Sequence, residues 1–181
     1  MTAGELGVEA ERADQHLTTV VVPTVGRPSL RVLLTALARG SLPFHGPVVV
    51  VDDRADGPDL RSGLADVELP GLRFVRSGGG GPARARNIGW RHSRTPWVSF
   101  LDDDVVPDAD WHERLVEDLT SVGPAAAGSQ GRVRVPLPGD RRPTDWERVT
   151  AGLADAPWIT ADLSYRRSAL SAVGGFDERF P

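Results

Sequence analysis

"LTTVVVPTVGRPSLRVLLTALARG", running from Leu17 to Gly40, changes its hydrophobic period in the middle. The first residues are β-branched or apolar and stop at Pro23, which is how a short strand buried on both faces reads. Beyond Pro28 the apolar residues fall at Leu30, Leu33, Leu34 and Leu37, one face of a helix, with Pro28 near its first turn and Gly40 just past its end. The same alternation then continues. "PVVVVDD" (Pro47–Asp53), "LRFVRS" (Leu72–Ser77) and "PWVSFLDDD" (Pro96–Asp104) read as further strands. Between and after them come a weaker helix near Asp59–Ala65 and a glycine loop, "GGGGPARARNIGWRHS", that opens a short helix at Pro82. A further helix, over "DADWHERLVEDLTSVG", spaces Trp111, Leu115 and Leu119 four apart behind Asp108 or Asp110 as a cap. Strand–helix alternation with apolar strands predicts one α/β domain with a mostly parallel sheet and helices on both faces. In such sheets ligands bind beyond the carboxyl ends of the strands.

Composition narrows the chemistry. The chain has 181 residues, enough for one domain with a substantial core, and a formal charge of −4, which gives no general basic field for a nucleic-acid backbone. It has no cysteine, so disulfides, thiol nucleophiles and cysteine metal sites are excluded, and a reducing compartment such as the cytoplasm fits. All 21 basic residues are arginine. A Schiff-base lysine and a P-loop lysine are therefore absent, and phosphate must be held by arginine, backbone N–H groups or a metal. The longest apolar runs, near Val20–Val22 and Val48–Val51, are too short to span a bilayer. Residues 1–16 are polar and acidic, unlike a signal peptide, and read as a flexible leader to a domain over residues 17–181.

Polar groups collect at the strand ends: Pro23-Thr24 after the first, Asp52-Asp53 after the second, Asp102-Asp103-Asp104 after the fourth. An acidic triplet alone fits a solvated turn or a helix cap. Crowded carboxylates repel unless a cation neutralises them, and a hard divalent ion with oxygen ligands is the natural partner. An EF-hand is excluded because Pro107 occupies the position of its obligatory glycine. An open Mg²⁺ or Mn²⁺ site, completed by a diphosphate, accounts better for the triplet.

In this order, strand-PT, strand-DD, glycine loop-"ARNIG", strand-"LDDD" and "ITADLSYRRSALSAVGGFDERFP" resemble the family 2 glycosyltransferases of GT-A fold, from Leu17 to Pro181. The resemblance implies a Rossmann-like sheet and metal-dependent, inverting transfer of a sugar from a nucleoside diphosphate to an acceptor hydroxyl of a glycan, lipid-linked sugar or small molecule. It implies nucleotide-sugar contacts at Pro23, Thr24, Arg27, Asp52, Asp53, Arg86, Asp102 and Asp103. Asp104 and Asp102 would hold Mg²⁺ or Mn²⁺. The family's general base comes from an acidic pair shortly after "GGFDE", so by this resemblance the domain is C-terminally incomplete at Pro181. Asp162, Asp177 and Glu178 are the candidates within the chain. That incompleteness leads to an expectation of exposed apolar surface around Leu170, Val173 and Phe176. Peripheral attachment to a membrane is left open.

Two other readings stand beside this one. Gly78, Gly80 and Ala83 match the G-x-G-x-x-A of a dinucleotide-binding oxidoreductase, with Asp102 about nineteen residues on, although that fingerprint belongs on the first strand of its unit and here two strands with polar ends come before it. A non-catalytic nucleotide-sugar-binding fragment is the second. The glycine run reads as a flexible loop and the tryptophans as core or pocket wall, with sugar stacking open for Trp158 alone. His16, His45, His92 and His112 read as surface residues, Thr144 with Glu147 as a capping box, and Arg141-Arg142 as a solvated turn.

Overall fold

The computed structural model describes residues 16–180, so the expected leader, except its last residue, and Pro181 lie outside the described residues. Six strands form one sheet: β1 (Thr18–Thr24), β2 (Val48–Asp52), β3 (Leu72–Arg76), β4 (Trp97–Leu101), β5 (Gly128–Gln130) and β6 (Asp162–Arg166). Among the described residues five α-helices accompany them: α1 (Ser29–Arg39), α2 (Pro82–Arg91), α3 (Trp111–Ser121), α4 (Asp145–Ala151) and α5 (Arg167–Val173). The strand order is β3-β2-β1-β4-β6-β5. The first four strands in that order run parallel, whereas β6 is antiparallel to both β4 and β5.

The valine runs explain the layering. Along β1, Val20 and Val22 face one side with Val48 and Val50 of β2, while Val21 faces the other with Val49 and Val51. The first side is covered by Leu30, Leu33, Leu34 and Leu37 of α1 and by Trp111, Leu115 and Leu119 of α3. The second is covered by Ala85 and Trp90 of α2 and Leu170 of α5. A strand that is apolar at every position must be covered on both faces, and here it is. Helix α2 lies so close to β1 that a Cβ on Gly89 would stand 2.3 Å from Val21 Cγ1, so only glycine fits there.

Hydroxyl groups fix the antiparallel strand. Ser99, in the middle of apolar β4, bonds Thr18 of β1 at 2.8 Å and Ser164 of β6 at 2.7 Å. These buried polar groups satisfy one another across three strands, which sets the register of β6.

Some local expectations change. The helix near Asp59–Ala65 is a single 3-10 turn, Leu60–Gly63, whose start is held by the Asp59 carboxylate accepting from the Arg61 N–H at 3.0 Å. Neither Asp108 nor Asp110 caps α3 with its side chain: Asp110 sits at the N-cap without such a bond, and both carboxylates take Arg114 at 3.2 and 2.7 Å. The capping box at Thr144 and Glu147 is present. Arg141 is bound to Glu147 rather than merely solvated. Of the expected exposed apolar group, Leu170 is buried and Phe176 packs edge-on against Phe100 at 5.0 Å; Val173 alone is exposed. Trp90, Trp97 and Trp111 are core residues, whereas Trp146 and Trp158 stand out from the surface.

Candidate functional site

Beyond the carboxyl ends of β1 and β4 lies a cleft of about 360 Å³. The end of β1 contributes Pro23, Thr24, Val25 and Arg27; the glycine loop and α2 contribute Pro82 and Arg86; Asp53 and the triplet Asp102–Asp104 complete it. These side chains meet because parallel strands end together and each turn leaves the sheet on the same edge.

The triplet is divided among separate partners. Asp102 takes Arg86 Nη2 at 2.6 Å, and the same nitrogen donates to Thr160 Oγ1 at 2.7 Å. Asp103 is buried, accepting from Thr24 Oγ1 at 2.5 Å and from Arg27 Nη1 at 3.1 Å. Asp104 is 63% exposed, with Arg27 at 3.6 Å. Arg86 is buried along its length, and its Nε has no hydrogen-bond partner among the described residues. A buried guanidinium N–H without an acceptor is costly unless a ligand or water meets it.

Asp53 organises the loop beside the cleft. Its carboxylate accepts from Ser77 Oγ at 2.5 Å, Gly80 N–H at 3.0 Å and Gly81 N–H at 2.9 Å. Gly81, with φ of 87°, is the N-cap of α2, so the acid fixes the backbone at the entry to the helix by taking the N–H groups of the N-cap and of the residue before it. The glycine run is therefore a fastened loop. It follows edge strand β3, not the first strand where a dinucleotide fingerprint belongs.

Asp52 points elsewhere. Arg54 binds both its oxygens at 2.8 Å, which, with Arg76 nearby, holds its carboxyl below the usual range despite burial. It lines a hollow of about 280 Å³ with Arg61, Phe74 and Arg76.

Three acids considered as bases lie outside the cleft lining. Asp177 is bound by Arg179, and Glu178 accepts from Asn87 Nδ2 at 2.8 Å. Asp162 lines a second cleft of about 740 Å³ between α3 and the β5–β6 edge. Burial pushes its carboxyl up to about 6, against the lowering effect of a 3.2 Å bond from Trp111 Nε1.

Two residues of the site escaped the sequence reading. Thr160 shares Arg86 with Asp102. Asn87, buried next to Arg86, exchanges hydrogen bonds of 2.8 Å with the Phe176 backbone and takes Trp90 Nε1 at 3.1 Å, tying "ARN" to "GGFDE". The sequence carried little signal for either: the burial of Asn87 and its partners at Phe176, 89 residues on, come from the fold.

As for a metal, no group of three or more His, Asp or Glu side chains that could hold an ion occurs among the described residues. Asp102 and Asp104 nevertheless offer hard oxygen donors at the cleft. That donor set fits Mg²⁺ or Mn²⁺, which keep several positions for water and phosphate oxygens rather than demanding an all-protein cage.

The sequence pattern of glycosyl transferase family 2 matches residues 19–169. The chain belongs to that family. Among its relatives, the pre-mycofactocin glycosyltransferase of Mycobacterium tuberculosis strain H37Rv is 33% identical over 178 residues, spanning 88% of this chain and 35% of that protein. Hyaluronan synthase of Pasteurella multocida is 31% identical over 130 residues, 66% of this chain and 13% of that one. The chain thus spans about a third or less of the length of these relatives. S. aureus TarS in complex with UDP superposes with a TM-score of 0.66 at 19% identity, over 91% of this chain and 51% of that one. The mannosyltransferase PcManGT from Pyrobaculum calidifontis, in complex with GDP-Man and Mn²⁺, does so with 0.63 at 22% identity, over 96% and 55%. The α/β sheet is therefore the GT-A fold of family 2. No helix among the described residues is long and apolar enough to cross a membrane.

Proposed function

We propose that this domain binds a nucleoside-diphosphate sugar with Mg²⁺ or Mn²⁺ in the 360 Å³ cleft and supports inverting transfer of the sugar to an acceptor hydroxyl. The observation that carries this reading is Arg86, a buried guanidinium with an unpartnered Nε that is bonded to Asp102 in the cleft which Asp103 and Asp104 also line. An anion bound next to a cation would satisfy both sets of charges. The chain's family and the UDP, GDP-Man and Mn²⁺ of the solved neighbours support it.

Each side chain then has a task. Pro23, Thr24 and Arg27 border the nucleoside, with Asp53 keeping the glycine loop in place and Asp52 acting through Arg54 behind it. Asp103 positions Thr24 and Arg27 from below. Asp102 and Asp104 would hold the cation, and Arg86 the diphosphate. A bound divalent ion supplies Lewis-acid stabilisation of the charge on the departing diphosphate. An acceptor hydroxyl also needs a carboxylate to take its proton. Asp162, Asp177 and Glu178 all lie off the cleft lining, which favours, as a second reading, a domain that binds the nucleotide-sugar without turning it over alone.

Calorimetric titration with UDP and with GDP, with and without Mn²⁺, tests the proposal. Binding of one nucleotide should require the metal and weaken at least about tenfold in Asp104→Ala, equivalent to about 1.4 kcal/mol. Equal affinity with and without metal would reject it.

A further inference from the structure

We infer that Trp158 is a stacking platform for a pyranose ring of a saccharide acceptor, placed on the rim of the nucleotide cleft; this rests on the glycosyl-transfer reading above. The indole is 65% exposed, although tryptophan is among the residues that gain most from burial. Its backbone has a φ of 63°, and it is the one non-glycine residue with positive φ among the described residues. A bulky side chain in that region is strained, and strain of this kind persists where the surroundings enforce it.

The surroundings do enforce it. Gln130, from β5, accepts from the backbone N–H groups of both Trp158 and Ile159 and donates through Nε2 to Ala156 O at 3.0 Å. One side chain thus fastens the whole turn, and the turn raises the indole into solvent. Two residues on, Thr160 accepts from Arg86; one further, the Ala161 carbonyl accepts from the Asp102 N–H at 3.4 Å. Two residues of chain span at most about 7 Å, so Trp158 stands beside the residues proposed to hold the diphosphate. Gln130 itself lines the second cleft.

A flat, rigid, exposed aromatic surface next to a sugar-donor site matches the apolar C–H face of a pyranose, while the rim polar groups meet its hydroxyls. Trp146, the other exposed indole, sits on α4 with no such fastening and does not share these contacts.

The test uses the 181-residue chain with Mn²⁺ and whichever of UDP or GDP it binds. Cellobiose, chitobiose and methyl α-mannoside are offered as probes by saturation-transfer NMR, with p-cresol as the aromatic comparator. Trp158→Gly suits the φ of 63° and should not lower the melting temperature. It should weaken saccharide binding about tenfold or more and leave nucleotide affinity within about twofold, while Trp158→Phe retains most of the saccharide binding. Nucleotide binding without contact to any saccharide, unchanged saccharide binding in Trp158→Gly, or binding of p-cresol alone would overturn the platform. Failure of the wild-type chain to bind either nucleotide would instead remove the reading on which it rests.

Discussion

Replacing Asp162 with asparagine should stabilise this protein at neutral pH and remove much of its pH dependence. Asp162 is a largely buried acid whose carboxyl is pushed from 3.8 up to about 6, mainly by burial. At about 1.36 kcal/mol per pH unit that rise corresponds to about 3 kcal/mol, and partial access from the 740 Å³ cleft reduces it to about 2 kcal/mol. For an acid whose folded pKa is raised, the stabilising form is the protonated one. Its contribution is complete below the unfolded value near pH 4 and is lost as pH rises through about 6. Asparagine has the same shape, carries no charge, and keeps an oxygen to accept from Trp111 Nε1. For a chain of this size, about 2 kcal/mol corresponds to about 4–8 °C in melting temperature. Thermal unfolding between about pH 3.5 and 8 should show two curves that converge below about pH 4, diverge as pH rises to about 6, and hold a constant gap above that, the variant higher. A gap that does not change between about pH 4 and 6, or a less stable variant at neutral pH, would refute the reasoning.

Asn87→Ala removes partners from Phe176, Glu178 and Trp90 at once, leaving buried polar groups unsatisfied, and should cost about 2–4 kcal/mol in denaturant unfolding, with faster proteolysis after Val173. Gly89→Ala places a methyl 2.3 Å from Val21 Cγ1 and should cost about 1–3 kcal/mol, measured the same way, through separation of α2 from β1.

Much of this architecture was legible because it rests on long apolar periods. The valine runs of β1 and β2, the leucine face of α1 and the tryptophan-leucine spacing of α3 each carry their own burial, and their strand ends pointed to the cleft edge. Strand β6 was missed because Ser164 stands where an apolar residue would have marked the buried face, its burial being satisfied by the Ser99 hydroxyl from 65 residues away. Strand β5, "GSQ", has no apolar residue at all; pairing with β6 alone makes it a strand. At the site, residue types were readable but orientations were not. Nothing local says that Asp103 turns inward to Thr24, that Arg54 occupies Asp52, or that Asp162 faces α3 rather than the cleft, since each depends on a partner brought by the fold. The caps proposed for α3 failed for the same reason: Arg114 competes for both carboxylates.

The most direct test of the central claim is to locate the metal and nucleotide. Crystals grown with Mn²⁺ and UDP or GDP, measured at a wavelength where manganese scatters anomalously, should show one peak bonded to an oxygen of Asp104 or Asp102, with the diphosphate within hydrogen-bond reach of Arg86. Nucleotide and manganese found instead in the larger cleft beside Asp162, or nucleotide ordered at Arg86 with no manganese on the triplet, would contradict it.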